Sequence, residues 1–340
     1  MAGREAPALT LGHVERRDGD DVIEGMLLCP DKVCQREYPI IDGIPLLVLD
    51  IRGVVSGQLA ELRARDDLSA FTDSWLGDCA GPDSELVTTR YHLSTYARSH
   101  YGDFDPAGPA LEAGVPQLLA RGLELLPEPP SGAWLDVGCS VGRASFELAA
   151  RTDDLVLGVD LNIAMLKLAR RVLTRGRAVH PHRRVGMVYE QRDYPVELPA
   201  ADRVDFWACD ATGLAFGDGT VDGALSLNVV DCIASPMAHV VELGRVLRPG
   251  ARALFSTPYD WSTGATPVEQ WLGGHSQRGP DQGSSAAAFR RLLSAESGVT
   301  PDPQLLLTAE ADRVPWQVYV HERATMSYQA HLLVGTRRDD

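Results

Sequence analysis

The sequence of 340 residues has no apolar run close to the ~18 residues that a membrane-spanning helix needs, and it is poor in cysteine and in positive charge. Its six cysteines are scattered, which indicates a reducing compartment and not a disulfide framework. Lys and Arg number 32 against 47 Asp and Glu, so the net charge at pH 7 is −15. A nucleic acid would be repelled at long range, which disfavours RNA or DNA as a partner.

The composition of the N-terminal stretch bears on the expected location of the protein. Residues 1–17 carry charges and have no signal-peptide apolar region, which predicts a cytoplasmic protein without a membrane partner. Hydrophobic residues make up 44% of the chain, enough for one large domain and a smaller module. The sequence leaves the oligomeric state open, and a homo-oligomer is compatible with it.

The most informative segment is residues 134–143. A second apolar run, which ends at Asp160, follows it in the sequence. An apolar run, a turn bracketed by Gly138 and Gly142, an amphipathic stretch and a second apolar run predict strand, loop, helix and strand. Glycine lets backbone approach a ligand closely, and an acid at the second strand tip can bridge two ribose hydroxyls. The segment therefore predicts a nucleoside-bearing cofactor across the top of a parallel sheet.

The spacing within this turn distinguishes between nucleoside cofactors. A dinucleotide site has G-x-G-x-x-G with the pyrophosphate on a helix N-terminus, whereas this turn has Asp-x-Gly-x-x-x-Gly. Asp136 would repel a phosphate but suits a cationic amino-acid tail, which favours S-adenosylmethionine over NAD. The segment resembles the first motif of class I methyltransferases, with Ser140 in place of the middle glycine.

Three later segments resemble motifs of the same family, in the family's order. Residues 204–211 are similar to its adenine-binding motif, 216–228 to its fourth strand and 242–250 to the turn before its fifth strand. The resemblance implies an α/β fold with a Rossmann-like, seven-stranded class I methyltransferase sheet. It also implies S-adenosylmethionine as the cofactor, bound by Asp136, Gly138, Cys139, Gly142, Asp160, Leu161, Asp210, Ala211 and Asn228.

Residues 1–55 are predicted to form a separate module. Strand-like runs flank an Asp42–Gly43 turn signal, and the region resembles small zinc-ribbon proteins that include methyltransferase activator subunits. That family often has an earlier cysteine pair, which is missing here, and Cys29 and Cys34 are separated by four residues instead of two. Two thiolates do not close a tetrahedral zinc site. We therefore expect a degenerate, metal-free, ribbon-like β module.

The rest of the chain divides into two further regions. Residues 56–130 carry helical patterning and are predicted to form a linker or lid ahead of a methyltransferase domain at residues 131–340. Within that domain, residues 176–203 are a polar insertion. Its histidines at 180 and 182 flank a proline and have no acid beside them, which favours a solvated loop over a metal site.

In this fold the acceptor site is built by loops after the later strands. Residues 257–275 hold a tyrosine, two tryptophans and a Gly-Gly pair in a loop too long for a plain connection, which suits a small planar acceptor. The loop resembles one in the methyltransferase domain of ovothiol-biosynthesis enzymes, which N-methylates the imidazole of a thiolated histidine. Residues 138–148 resemble the same family, and the likeness covers about residues 130–338.

Methyl transfer is an in-line displacement at a sulfonium, so the cofactor supplies the electrophile and the protein holds the nucleophile and excludes water. A neutral imidazole needs its second nitrogen held in the donor tautomer. The candidate catalytic residues are Asn228, Tyr259 and Asp260. The expected contacts with the small-molecule acceptor are Tyr91, Tyr101, Asp231, Tyr259, Trp261, Trp271 and His275.

Four functions remain open from the sequence. The first is a small-molecule methyltransferase, with N-methylation of an imidazole or histidine-like acceptor as its specific form. The second is an enzyme of the same fold that uses S-adenosylmethionine differently, for example in an intramolecular cyclisation that releases methylthioadenosine. An RNA methyltransferase is disfavoured by the net charge, and a non-catalytic binding module is disfavoured by the intact cofactor motifs.

Overall fold

The computed structural model describes residues 7–55, 62, 65, 67–108, 111–295, 298–299 and 301–339, and these fold as two compact units. The first unit contains the described residues up to His92 together with Arg183–Gln191. The second contains the described residues of Leu93–His182 and Arg192–Asp340. Among the helices of these ranges, none has the length and apolar character needed to cross a membrane.

The first unit begins with an antiparallel sheet. Its strands, paired in sequence order, are β1 (Thr10–Asp18), β2 (Asp21–Leu28), β3 (Glu37–Ile41) and β4 (Ile44–Pro45). Asp42 and Gly43 connect β3 to β4 with φ of 52° and 75°, the pair of left-handed residues that a type I′ hairpin requires. The predicted N-terminal β module is confirmed as four antiparallel strands.

A buried carboxylate ties this sheet to the helix α1 (Ala70–Cys79). Glu24 of β2 is fully buried and accepts hydrogen bonds from Ser69 Oγ at 2.6 Å and from the Thr72 hydroxyl. It also pairs with Arg16 at 2.8 Å. Burial opposes ionisation of Glu24, but the hydrogen bonds from Ser69 and Thr72 outweigh it and hold its pKa below the usual value.

The second unit is organised around a seven-stranded sheet. After the helices α2 (Glu85–Tyr101) and α3 (Val115–Leu123), the strands of the chain are β5 (Trp134–Val137), β6 (Val156–Asp160), β7 (Arg177–Val185), β8 (Val188–Pro195), β9 (Val204–Ala208), β10 (Val221–Leu227), β11 (Leu247–Thr257), β12 (Leu305–His321) and β13 (Ala324–Arg337). The part of α2 up to His92 and the hairpin residues Arg183–Gln191 belong to the first unit. The sheet order is β12-β13-β11-β10-β5-β6-β9. The last five strands in this order are parallel. β13 is antiparallel to its neighbours β11 and β12, so it alone runs against the other strands of this sheet. This is the predicted Rossmann-like class I methyltransferase sheet.

The strand order places the ligand edge. The chain adds β6 and β9 on one side of β5 and then returns to add β10 and β11 on the other side. Open α/β sheets bind ligands at such a switch point, outside the carboxyl ends of the strands. The acids at or near the carboxyl ends of β5, β6 and β9 and the polar residues at or just after the ends of β10 and β11 therefore share one edge.

Two cores sandwich the sheet. The helices α4 (Arg143–Ala149) and α5 (Ile163–Arg175) join α3 in one core, and α6 (Pro236–Val246) and α7 (Ser285–Leu292) join the other. Along β10, Leu225 belongs to the first core and its neighbour Ala224 to the second. Successive side chains of a strand point to opposite faces, so one short apolar run serves both layers.

The polar insertion is a β-hairpin, and the expected solvated loop is wrong. The strands β7 and β8 pair with each other, and Ala178, His180 and His182 are all buried. They alternate with more exposed residues along β7, the period of a strand with one buried face. His180 Nε2 lies 3.2 Å from the Tyr194 hydroxyl, so a hydrogen bond offsets part of the cost of burying the ring.

Candidate functional site

The glycine turn between β5 and α4 has three left-handed residues. The φ angles of Gly138, Ser140 and Gly142 are 74°, 53° and 88°. A Cβ on Gly138 would lie 2.3 Å from Val229 Cγ2, and one on Gly142 would lie 2.5 Å from Phe206 Cζ. From the sequence, these glycines were expected to let a ligand approach the backbone closely. The structure shows a second reason for glycine, because a Cβ at either position would clash with a side chain of the protein itself.

Asp160 at the tip of β6 is bound to this turn. Its Oδ2 accepts the Ser140 N–H at 2.9 Å and its Oδ1 accepts the Asn162 N–H at 2.7 Å. Burial raises the pKa of Asp160 even though these N–H donors oppose the shift. A carboxylate oxygen has more than one acceptor site, so the same group can shape the turn and bind ribose hydroxyls.

Asp136 lies beneath the turn at the end of β5. It is buried, and Ser145 Oγ donates a hydrogen bond to its Oδ2 at 2.6 Å. Burial, with a smaller contribution from the charge of Asp160, raises the pKa of Asp136 to about 6. Ser145 was not among the predicted residues; its position in the first turn of the helix after the glycines was the available signal.

The C-terminal end of α2 holds the turn from the other side. Tyr101 is fully buried and its hydroxyl donates to the Val141 carbonyl at 2.6 Å. The Arg143 backbone N–H donates to His100 Nδ1 at 3.3 Å, and burial lowers the pKa of His100 to about 3. Tyr101 was expected to contact the acceptor. That contact stays a prediction; in the structure the Tyr101 hydroxyl bonds the backbone of the turn.

The buried Arg143 connects the first turn of α4 to the segment that follows α2. Its two terminal nitrogens each lie 2.9 Å from a carboxylate oxygen of Asp103, and it also bonds Glu147 of its own helix. The guanidinium lies 4.8 Å from the centre of the Phe104 ring. A bidentate arginine that packs on an aromatic ring is rigidly placed. The start of α4 is therefore fixed to the segment after α2.

The adenine side of the edge is more open. Asp210 follows β9, is exposed, and accepts from Thr212 N–H and Oγ1 at 2.8 and 2.7 Å, which lowers its pKa. Leu161 is 69% exposed, directly after Asp160. Cys139 is buried and its N–H donates to the Val159 carbonyl, so its thiol packs inside the turn. An ionised acid and an open apolar side chain thus lie where the family motif places the adenine.

His239 on α6 fixes the adenine loop and was not predicted. It is fully buried, and its ring nitrogens Nδ1 and Nε2 lie 3.2 Å from the Ala211 carbonyl and 2.7 Å from Ser226 Oγ. A carbonyl only accepts, so Nδ1 carries the proton and Nε2 accepts from Ser226. Burial lowers the pKa of His239 to about 4, which keeps the ring neutral. A single histidine in an amphipathic helix gave no sequence signal for this contact.

The tips of β10 and β11 are joined by polar contacts. Asn228 has a φ of 57°, and its Oδ1 accepts from Ser256 Oγ at 2.8 Å. Asp231 is buried and its Oδ2 accepts the Asp260 N–H at 2.7 Å. Burial raises the pKa of Asp231. Asp231, expected as an acceptor contact, thus positions the loop after β11.

Tyr259, the second residue after β11, heads a chain of hydrogen bonds. Its hydroxyl lies 2.7 Å from His331 Nδ1, and His331 Nε2 lies 3.0 Å from Glu310 Oε2. Glu310 also accepts from Arg290 Nε at 2.7 Å. Neither His331 on β13 nor Glu310 on β12 was predicted. Asp260, the other candidate here, is exposed and accepts from the Tyr328 hydroxyl at 2.7 Å.

The two tryptophans of the long loop pack on each other. The ring centres of Trp261 and Trp271 lie 5.6 Å apart with an interplanar angle of 13°. Trp271 Nε1 donates to the Thr266 carbonyl at 2.9 Å, which fixes the ring in its plane. Trp271 and the exposed His275 line a cavity of about 430 Å³, together with Met237 of α6. The loop is therefore an ordered wall beside an open cavity.

Tyr91 belongs to the first unit. Its ring centre lies 5.6 Å from that of His92, and the guanidinium of Arg183 lies 5.2 Å from the ring centre. Its expected contact with the acceptor stays a prediction. All other predicted site residues lie in the second unit.

Comparison with known proteins agrees with this geometry. Residues 135–255 match the model of a methyltransferase domain family. The chain is 26% identical over 191 residues to the O-methyltransferase cnsE of Penicillium expansum, covering 56% of this chain and 60% of that protein. It is 25% identical over 153 residues to the 27-O-demethylrifamycin SV methyltransferase of Amycolatopsis mediterranei, covering 45% and 48%. The chain thus spans about half to three fifths of the length of these curated relatives.

Among solved structures, a SAM-dependent methyltransferase from Methanosarcina mazei is similar, with 17% identity and a TM-score of 0.40 over 64% of this chain and 96% of that one. The matched family segment runs from β5 to β11 and contains the glycine turn, Asp160 and Asp210. The strand order, the turn and this match lead to one conclusion. Residues 135–255 form the methyltransferase domain of this chain, and its cofactor is S-adenosylmethionine.

Proposed function

We propose that this protein transfers the methyl group of S-adenosylmethionine to a small-molecule acceptor held at the tips of β10 and β11. The observation that carries the proposal is that one edge of the sheet has acidic residues on its cofactor side and polar residues with positive φ on the other side. On the cofactor side, Asp136 lies one residue before the end of β5, Asp160 ends β6 and Asp210 follows β9. Asn228 and Tyr259, both with positive φ, follow the next two. Strained residues that the surrounding structure holds in place are common at sites that position a reactant.

Two acceptor classes fit this edge. Imidazole is favoured by the tryptophan loop, because a flat ring suits the face of an aromatic wall. A hydroxyl is favoured by Tyr259, whose phenol oxygen is a polar group near the strand tip. It is also favoured by the names of the two curated relatives described above, both of which indicate O-methylation. The roles proposed are orientation of the acceptor by Tyr259 and Asp260, and packing beside Trp271 and His275. Residues 56–130 act as linker or lid in this proposal.

The direct test uses cofactor labelled in the methyl group. The protein is incubated with it and with acceptor panels of histidine-like imidazoles and of hydroxyl compounds, and products are identified by mass spectrometry. We expect the label in an acceptor product together with S-adenosylhomocysteine. Methylthioadenosine without any added acceptor would favour the cyclisation alternative, and a labelled RNA would favour the nucleic-acid alternative.

The affinity for S-adenosylhomocysteine should rise with pH through the pKa of Asp136. With that pKa at about 6, the carboxyl is mostly neutral at pH 5 and mostly ionised at pH 7, while the ammonium of the ligand stays protonated. If the ionised form binds the ammonium, calorimetry should show a dissociation constant about tenfold lower at pH 7 than at pH 5.

The matched control for this measurement is Asp136→Asn, which keeps the shape of the side chain and removes the titration. We expect weaker binding and a flatter pH dependence in this variant. An equally steep dependence in Asp136→Asn would assign the titration to another group.

Trp271→Ala should weaken the acceptor site and spare the cofactor site. We expect the acceptor KM to rise about tenfold or more, because an aromatic wall of the proposed pocket is lost. The dissociation constant of S-adenosylhomocysteine should change less than about twofold. Trp75→Ala is the control, since Trp75 packs in a hydrophobic cluster of the first unit and is not part of this loop. A loss of cofactor binding in Trp271→Ala would contradict the assignment.

A further inference from the structure

We propose that Tyr259, His331 and Glu310 form a proton relay that accepts the proton of the attacking hydroxyl during methyl transfer. The inference rests on the proposed function and narrows it to an acceptor with a neutral hydroxyl group. Tyr259 is the catalytic residue of the relay. His331 and Glu310 act through it as positioning residues.

The direction of the hydrogen bonds follows from the chemistry of Glu310. Its carboxylate is kept ionised by Arg290 at 2.7 Å and can only accept, so His331 Nε2 carries the ring proton. His331 Nδ1 then has a lone pair, and the Tyr259 hydroxyl donates to it at 2.7 Å. This leaves the lone pairs of the phenol oxygen as the acceptor end of the chain.

Every proton and bonding electron pair in the proposed step is accounted for without an added reagent. The acceptor oxygen forms a bond to the methyl carbon while the bond from carbon to sulfur breaks and its electrons stay on sulfur. The hydroxyl proton moves to the Tyr259 oxygen as the phenol proton moves to His331 Nδ1. The positive charge lost by the sulfonium therefore reappears on the imidazolium, beside the carboxylate of Glu310.

The surroundings make the neutral ring the resting form. His331 is buried, and burial lowers its pKa below the usual 6.5. The charged or titratable groups near it and near Tyr259 are Glu310 and Asp312 of β12, Arg290 of α7, and Asp231. Burial also raises the pKa of Tyr259, so the phenol is protonated at neutral pH. The relay therefore starts with a protonated phenol and an unprotonated Nδ1.

The strand geometry places Tyr259 at the tip of β11, at the carboxyl-end edge of the sheet. Tyr259 follows β11 with a φ of 58°, a costly backbone conformation for an aromatic residue. His331 pairs with Thr257, the last residue of β11, in the sheet register. The N–H of Tyr259 also donates to Thr257 Oγ1 at 3.0 Å. These contacts hold the strained tyrosine beside the tip of the strand.

The kinetic test uses the hydroxyl acceptor identified with labelled cofactor. Tyr259→Phe removes the hydroxyl, and His331→Gln removes the imidazole that accepts the proton. We therefore expect kcat to fall about 100-fold or more in each variant. S-adenosylhomocysteine binding should stay unchanged. The wild-type rate should rise with pH and level off above the pKa of His331. This rise of the rate with pH should be absent in His331→Gln.

Glu310→Gln gives a readout that a purely structural role would not produce. Without the carboxylate the imidazolium is less stable, so the acid limb of the rate profile should move to lower pH while the plateau falls. Tyr319→Phe is the control, because Tyr319 also bonds a histidine, His182 Nε2, at 2.9 Å on a different part of β12. We expect its rate profile to match the wild type.

A second measurement needs no turnover. The nitrogen shifts of His331 in the labelled full-length protein with S-adenosylhomocysteine report the tautomer, and we expect the proton on Nε2 and a shifted Nδ1 signal in Tyr259→Phe. A proton on Nδ1, or full hydroxyl turnover in Tyr259→Phe, overturns the relay and leaves methyl transfer standing. Transfer only to imidazoles also overturns it, whereas no transfer to any acceptor refutes the proposed function itself.

Discussion

Asp160→Ala should weaken S-adenosylhomocysteine binding at least 100-fold in calorimetry. Two losses combine in this variant. The ribose loses a charged acceptor, and hydrogen bonds to a charged group contribute about 1.5–3 kcal/mol each. The Ser140 N–H also loses its partner at 2.9 Å, so the middle of the glycine turn is no longer tied to β6. A factor of 100 corresponds to about 2.8 kcal/mol, which two such bonds supply.

The control for this variant is Asp154→Ala. Asp154 precedes β6, at the opposite edge of the sheet from Asp160, and its carboxylate accepts the N–H of the next residue, Leu155. The same substitution there should leave the dissociation constant within about twofold. Unchanged binding in Asp160→Ala would refute the cofactor site, and weak binding in both variants would point to a general loss of folding.

Arg143→Ala should cost about 3 kcal/mol in the free energy of unfolding. The guanidinium is buried and is the shared partner of Asp103 and Glu147. Its removal leaves the Asp103 carboxylate without its bidentate donor and opens space beside the Phe104 ring. Arg143→Lys should recover part of the loss, because an ammonium keeps the charge but cannot form the bidentate pair.

Arg151→Ala is the matched control for that variant. Arg151 also pairs with Glu147, at 2.8 Å, but its side chain is 41% exposed. An exposed ion pair contributes about 0–1 kcal/mol, so the loss should be small. Denaturant unfolding gives the comparison, and hydrogen exchange at α4 shows whether the change is local to the turn. Equal losses for the two arginines would contradict the account of Arg143 as the fixed link.

The cofactor edge was predictable because its signals are local. Asp136, Gly138, Gly142 and Asp160 lie within one strand, turn, helix and strand, and the chain itself brings these neighbours together. The positive φ of Gly138 and Gly142 is a backbone requirement that glycine meets at little cost. Such signals do not need the rest of the fold.

The acceptor side was predictable only in part. Tyr259 and Trp271 were singled out by their place after the fifth strand, but their partners were not. His331 is 72 residues from Tyr259 in sequence, and β13 must insert beside β11 before the two meet. No pattern along the chain encodes such a contact, because strand register is decided by the packing of both faces.

Two further features of the structure were not anticipated from local sequence patterns. The buried alternation of β7 was present in the sequence, but the proline between its histidines and the lack of an adjacent acid favoured a loop. Tyr101 was placed near the acceptor from its aromatic neighbourhood, whereas its full burial depends on how the last turn of α2 packs on the glycine turn. Burial is a property of the packed molecule, and residue type alone does not determine it.

The sequence by itself determined the sheet, the cofactor and the edge at which chemistry takes place, because strand tips and glycine turns are set by short-range periodicity and backbone geometry. Only the tertiary structure decided which titratable groups share a hydrogen-bond chain there. The chain from Tyr259 to Glu310 crosses a loop and two antiparallel strands. Its proton direction depends on burial and on one ionised carboxylate, both of which arise only when distant segments pack together.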